Sequence, residues 1–281
     1  MRVLVTGAEG VVGGAVVPRL LADGCAVTTL TLPDATPHDG VDVVRGDARD
    51  ADAVARAVAG ADAVVHLAAV ADPLFRPEPL LFANNTQATF TVLWTAAEAG
   101  VRRLVVAGSV NAIGLPFNPH RPLPRRYPLD ETVVPDLADP YSLAKHVDEA
   151  TLRAVCRRFG ATGVVLRLPL MIPPGREREI VARSWEDAGR AAAEGWGWLS
   201  TTDGAEAFAR ALRVPVDGVR VVQLAARNNV LGVPTEDLLE RYAPDVPHPP
   251  FVGREAPIDT RRAAALLGFE PRQADPLPAQ G

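Results

Sequence analysis

Arg2-Val3-Leu4-Val5-Thr6-Gly7-Ala8-Glu9-Gly10-Val11-Val12-Gly13 is the stretch whose reading decides the fold. Residues 2–6 form a short, mostly apolar run suited to a buried strand, and residues 11–22 carry helical periodicity. Between them stand three glycines spaced GxxGxxG. Gly7 permits a tight turn, Gly10 lets the backbone approach a pyrophosphate, and Gly13 lets helix and strand pack closely. The following helix presents its N-terminus to an anion. Glycines also mark ordinary turns. The strand–loop–helix context is what points to a dinucleotide, with Val11 and Val12 beside its phosphates.

Outward from this loop the rhythm repeats. Apolar runs at 26–32, 41–45, 63–67, 104–107 and 163–168 alternate with helical segments at 51–59, 80–99 and 139–159. The last of these helices has Asp139 as N-cap, Pro140 at its first position and Gly160 just past its end. Strands apolar throughout and separated by helices imply a parallel sheet covered on both faces. The expected class is α/β, a doubly wound parallel sheet of the Rossmann type with a small C-terminal substrate-binding part. Ligands of such sheets bind beyond the carboxyl ends of the strands. After residue 168 the pattern loosens at Pro169, Pro173, Pro174 and Gly175. Helical stretches follow at 184–194, 204–213, 235–242 and 260–267, with one strand-like run at 219–224. The expected division is a dinucleotide-binding core over 1–168 and a mostly helical substrate-binding part over 169–281, with 219–224 returning to the core sheet. The tail after residue 271 is expected to be loosely ordered.

Composition removes several classes of function. A net charge of -5 over 281 residues leaves no basic face for nucleic acid. No apolar run is long enough for a bilayer, and no signal-peptide pattern opens the chain, so a cytoplasmic protein without a membrane partner is expected. Cys25 and Cys156 lie far apart and read as small core residues in a reducing compartment. No His/Cys/Glu cluster has metal-ligand spacing, so no metal site is expected.

One count is sharper. Lysine and arginine total 29, and the only lysine is Lys145. It lies four residues after Tyr141, one of three tyrosines, near the start of the 139–159 helix, so the two side chains share a face. A phenol works as acid or base toward a substrate hydroxyl once its pKa is drawn down from about 10. A neighbouring ammonium does that, and can also bond the ribose hydroxyls of a nicotinamide cofactor. Arginine, with its broad planar fork, is a poor substitute. Ser109 follows the 104–107 strand, where a hydroxyl can bond a substrate oxygen or simply cap a turn. The second strand ends near Thr31, which supplies no carboxylate for the adenosine ribose; Asp34 is the nearest replacement, or else a turn residue after Pro33. No arginine closely follows Thr31 to receive a 2′-phosphate, which favours NAD and leaves NADP possible.

With these residues in view, the chain resembles the extended short-chain dehydrogenase/reductases, the NAD-dependent epimerase/dehydratase family. The resemblance covers almost the whole chain. Gly7, Gly10 and Gly13 match its glycine motif, Ser109, Tyr141 and Lys145 its catalytic triad, and Leu267-Gly268-Phe269-Glu270-Pro271 its closing segment. The resemblance implies that Asp47 and Ala48 lie near adenine. It also implies that Leu67, Ala68, Ala69, Asn85 and Leu168 line the cofactor, and that Val110, Asn111 and Arg167 face the substrate. The sugar-nucleotide dehydratases carry Thr-Asp-Glu where this chain has Ser109-Val110-Asn111, which argues against dehydration. Ile113-Gly114 and the compact C-terminal part resemble the uronate dehydrogenases, but those carry Ser-Asn-His there and a glutamine where Val11 stands.

The expectation is an enzyme moving a hydride at a secondary alcohol or ketone of a sugar-like, polyhydroxylated small molecule. An epimerase that retains NAD uses the same chemistry twice, and the two stay open here. A regulator that senses NAD(P) without chemistry is the reading from another class; relatives of that kind lose the tyrosine or the lysine. Family resemblance further implies a homodimer built from the 80–99 and 139–159 helices.

Overall fold

The computed structural model describes residues 1–72 and 77–277. Strand β1 (Arg2–Thr6) alternates its side chains between two cores. Val3 and Val5 join a cluster with Val16, Val17 and Leu20 of helix α1 (Gly13–Ala22). Leu4 points the other way, into a cluster with Val54 of α2 (Ala51–Val58), Val92 and Leu93 of α3 (Glu78–Glu98) and Leu152 and Val155 of α4 (Pro140–Phe159). Burial on both faces explains why these strands read as continuous apolar runs.

The remaining sheet strands are β2 (Ala26–Thr31), β3 (Asp42–Arg45), β4 (Ala63–His66), β5 (Arg103–Ser109), β6 (Thr162–Leu168) and, after two short strands described below, β9 (Val219–Gln223). Seven strands run in the order β3-β2-β1-β4-β5-β6-β9, every neighbouring pair parallel. The chain winds outward from β1 through β2 to β3, then returns to build the other half from β4. The switch point therefore lies between β1 and β4, where this kind of sheet opens a crevice. The glycine loop after β1 and the turn at 67–69 after β4 flank it.

A second sheet pairs β7 (Leu170–Ile172) with β8 (Trp198–Ser200). Strands of three residues carry too little periodicity to stand out in a sequence. The single helix expected over 184–194 is divided between α5 (Glu177–Glu186), α6 (Ala188–Ala191) and a 3-10 turn at Ala192–Glu194. Ser200 caps α7 (Thr201–Ala211) by accepting from the Asp203 amide at 3.0 Å. Helices α8 (Thr235–Tyr242) and α9 (Arg261–Leu267) follow. Residues 272–275 are tied down rather than loose, and residues 278–281, to which the same expectation applied, lie outside the described residues. The Arg272 and Gln273 amides donate to the Asp203 carboxylate at 3.1 Å, and Asn228 Nδ2 donates to Asp275 at 2.8 Å. Among the described residues no helix is long and apolar enough to cross a membrane.

Candidate active site

The three motif glycines have different reasons to be glycine. Gly7 adopts φ +70°, and a Cβ there would meet the Ala68 amide at 2.6 Å. A Cβ on Gly13 would meet the carbonyl oxygens of Gly7 and Ala8 at 2.3 Å. Both are demanded by the protein's own packing. At Gly10 the nearest atom to an added Cβ is the Gly7 oxygen at 3.4 Å, ordinary contact, and the residue is exposed. Among the described residues nothing requires glycine at that position, whereas a pyrophosphate lying on the loop would. Helix α1 begins here with no side chain capping its end, which leaves the amides for an anion. The cradle fits a dinucleotide.

Thr31, at the carboxyl end of β2, is buried and donates to Glu9 Oε1 at 2.6 Å. The carboxylate at the end of the second strand thus comes from the glycine loop itself. Asp34 lies three residues further on, past the strand end. It is exposed in the turn closed by the Ala35 amide on the Leu32 carbonyl. Arg45, paired in register with Thr31 on the neighbouring strand β3, spends Nη1 on the carbonyls of Leu32, Pro33 and Ala35. Asp47 follows β3, its carboxylate bidentate to Arg49 at 3.0 and 2.6 Å, and this partner holds it below the usual carboxylate range. Ala48 adjoins it, half-buried. Asn85 is buried and grips the backbone of Val70 through both ends of its amide, at 2.8 and 3.0 Å, so it fixes the turn after β4. Ala68 donates its amide to Thr6 Oγ1 at 3.4 Å in the same turn.

Beyond the strand ends opens a cleft of about 540 Å³. Val11, Val12, Leu67, Ala69, Ser109, Asn111, Tyr141, Lys145 and Leu168 all line it. The helix starts bring this about. Asp139 accepts from the Ser142 amide at 2.8 Å, which sets the first turn of α4 with Tyr141 on the cleft side. Lys145, one turn on, is buried and donates to the Ala107 carbonyl at 3.1 Å and to Asp148 at 3.2 Å. Ser109 ends β5 and caps a 3-10 turn, Val110–Ile113. Its Oγ accepts from the Asn111 amide and from Asn111 Nδ2, both at 3.1 Å. With both lone pairs engaged, the Ser109 hydroxyl proton is left to donate. The buried Asn111 Oδ1 has no hydrogen-bond partner among the described residues and is an acceptor in the cleft wall.

Two residues assigned to the substrate from the sequence lie elsewhere. Arg167 is clamped by Glu149, Nε to Oε1 at 2.7 Å and Nη2 to Oε2 at 3.3 Å, with both side chains buried. It fastens β6 to α4; breaking such a pair leaves an uncompensated buried charge at a cost of about 3–5 kcal/mol. Val110 is turned by the 3-10 helix into the hydrophobic core. Conversely, the sequence did not single out the outer wall of the cleft. Arg176, Arg183 and Arg190 stand there with Asp187 and Glu194, above Trp196. Burial pushes the Glu194 carboxyl up to about 7. Arg190 lies over the Phe117 ring at 4.7 Å, and Phe117 meets Tyr141 edge-on at 6.5 Å.

A model of the NAD dependent epimerase/dehydratase family matches residues 3–225. The chain belongs to that family. The UDP-glucose 4-epimerase of Mycolicibacterium smegmatis is 29% identical over 316 aligned residues, spanning 98% of this chain and 95% of that one. The UDP-glucose 4-epimerase of Thermus thermophilus, solved in complex with NAD, superposes with a TM-score of 0.71 at 26% identity, covering 97% of this chain and 94% of that one. Other relatives are larger. The chain spans about half the length of two uncharacterized Sinorhizobium fredii proteins, y4nG and y4nL, 45% and 51% respectively.

Proposed function

We propose that this family member catalyses NAD-dependent hydride transfer at a secondary carbinol of a sugar or sugar-derived small molecule. The observation that carries this reading is that Ser109, Tyr141 and the chain's single lysine line one cleft at the carboxyl edge of the sheet, next to the glycine cradle. Bound NAD would lie along Gly7–Gly13 and supply the hydride acceptor or donor. Tyr141 exchanges the proton of the substrate oxygen. Lys145 sets an ammonium beside it and within reach of ribose hydroxyls. Ser109, its lone pairs already taken by Asn111, donates its hydroxyl proton to the same substrate oxygen and orients it. Val110 and Asn111 stand in place of an Asp-Glu pair, so no second acid/base pair for elimination is present there. The test is a panel of secondary alcohols, sugars and ketones assayed by nicotinamide absorbance. Turnover that survives Tyr141→Phe unchanged would remove the assignment.

A second reading, an epimerase that retains its cofactor, is favoured by the likeness to the mycolicibacterial epimerase over nearly the full chain. Isomerised product without accumulation of reduced nicotinamide distinguishes it from a net dehydrogenase. Retention of Tyr141 and Lys145 in the cleft weighs against a regulator without chemistry.

Cofactor choice is ascribed to Glu9. Its carboxylate, held by Thr31, suits a ribose hydroxyl and repels a 2′-phosphate. Glu9→Gln is expected to lower the NAD-over-NADP ratio of kcat/KM by about tenfold, roughly 1.4 kcal/mol. An unchanged ratio in initial-rate measurements would return the preference to another residue.

A homodimer is proposed through the outer faces of α3 and α4. Leu80, Phe90 and Leu143 are exposed there, and Phe90 stacks on Trp94 at 5.2 Å beside Phe159. Light scattering is expected to give twice the chain mass, and Phe90→Glu to give the monomer. A monomeric native protein at micromolar concentration contradicts this.

A further inference from the structure

Lys145 sits in a buried polar chain that the roles of Ser109 and Tyr141 do not require. Its Nζ lies 3.2 Å from Asp148 Oδ2, one turn along α4, and the two side chains are 8% and 2% exposed. Thr89 of α3 neighbours the same carboxylate and favours its charged form, while Asp148 Oδ1 has no hydrogen-bond partner among the described residues. Thr89 Oγ1 lies 3.1 Å from His66 Nε2, and His66 Nδ1 lies 2.8 Å from Thr6 Oγ1. Thr6 Oγ1 in turn accepts from the Ala68 amide in the turn after β4.

The directions of these bonds follow from the ends. Burial pushes the Asp148 carboxyl up, opposed by the Lys145 charge 3.2 Å away and by Thr89. As the partner of an ammonium it is the ionised form, which only accepts, so the Thr89 hydroxyl turns its proton toward Asp148 and accepts from His66. Nε2 then carries the ring proton, and Nδ1 accepts from the Thr6 hydroxyl. One neutral tautomer of His66 satisfies every link. Burial, with the Lys145 charge adding to it, pushes His66 down to about 3, which keeps it neutral. The charged and titratable groups around Asp148 are Lys145 and Glu149 on its own helix, Tyr141 beyond Lys145, and His66 of β4 behind Thr89. Glu149 is occupied by Arg167 and Arg153. Asp148 is thus the counter-ion of the ammonium.

A buried ion pair is a poor device for stability alone, because apolar replacements of similar volume are often as good or better. Here the pair holds the one lysine of the chain at the cleft wall. We infer that Asp148 is a positioning residue for the proposed reaction. Its carboxylate keeps the Lys145 ammonium charged and aimed, and links it through Thr89 and His66 to the turn that borders the dinucleotide cradle. This rests on the proposed role of Lys145 in catalysis.

The single lysine makes the test direct, because isotope-labelled lysine gives one side-chain resonance, that of Lys145. In the native protein that resonance is expected to titrate above the ordinary lysine value of 10.5, since Asp148 opposes the effect of burial. In Asp148→Asn it is expected to titrate about one pH unit lower or more, because burial then acts with no counter-ion. The alkaline limb of the kcat profile should move down with it. At neutral pH kcat is expected to fall about tenfold while KM stays within about threefold, as for a group acting mainly on the chemical step. The native titration needs no variant, so the inference remains testable if Asp148→Asn does not fold. Native Lys145 titrating at or below its ordinary value overturns it, as does an Asp148→Asn protein with unchanged titration and kcat. If Tyr141→Phe is inactive while Asp148→Asn behaves as native, this inference alone fails. If Tyr141→Phe is fully active, the functional reading fails instead.

Discussion

Lys145→Arg is expected to lower kcat by about 10²–10⁴-fold while leaving the fold intact, the usual loss when a positioned acid/base is mis-set. The charge is conserved, so a generic electrostatic role would survive. The geometry would not. Lys145 is 6% exposed, with its Nζ between the Ala107 carbonyl and the Asp148 carboxylate at 3.1 and 3.2 Å. A guanidinium is longer, planar and spreads its charge, so it cannot occupy that space while keeping a donor toward the cofactor ribose and Tyr141. Tyr141→Phe should give a comparable defect, and the double variant little more than either alone, because the two residues act as a unit. The chain carries arginine at 28 of its 29 basic positions, counted as the total less Lys145. Arginine is thus widely used elsewhere in the chain. Circular dichroism and steady-state kinetics on a confirmed substrate measure both halves of the expectation. Near-native turnover in Lys145→Arg would make the lone lysine a compositional accident.

Gly10→Asp is expected to weaken dinucleotide binding by about a hundredfold, roughly 2.7 kcal/mol, without unfolding the protein. An added Cβ at Gly10 stays 3.4 Å from its nearest neighbour, so the protein has room for the side chain. The lost affinity then comes from a carboxylate set against the pyrophosphate. Gly13→Ala provides the contrast. Its Cβ would lie 2.3 Å from two backbone oxygens, so it should lower the melting temperature whether or not a cofactor is present. Titration calorimetry and thermal melts separate the two effects. Unchanged affinity in Gly10→Asp would end the assignment of this loop to the pyrophosphate.

The features legible in the sequence were those with a local physical cause. Strands buried on both faces leave apolar runs, which located β1, β2, β4, β5 and β6. Asp139, Pro140 and Gly160 announced both ends of α4, and Gly160 does adopt the left-handed conformation, at φ 66°. What escaped depended on partners distant in the chain. Arg167 reads as a strand-end cation available to a substrate until Glu149, eighteen residues away on α4, is seen to hold it. Sequence position points to a carboxylate on or just after β2 for the ribose. The structure brings a different carboxylate to the end of β2, that of Glu9, whose side chain returns across the loop to Thr31. A glutamate flanked by motif glycines, in a loop suited to an anion, is the one local signal of this arrangement. Val110 follows Ser109 directly and so reads as facing the substrate, but the 3-10 turn after Ser109 rotates it into the core. The charged outer wall of the cleft falls on short helices whose boundaries the sequence blurred into one segment.

The central claim is that Tyr141 and Lys145 perform acid/base chemistry beside a dinucleotide cradled by Gly7–Gly13. The most direct measurement follows nicotinamide absorbance under single-turnover conditions, with native protein and Tyr141→Phe each loaded with NAD and mixed with the best substrate of the panel. The account predicts a full-amplitude transient in the native protein. In Tyr141→Phe it predicts equal NAD binding and a transient slowed by about 10²-fold or more. Equal NAD binding with equally fast transients in both proteins would contradict it.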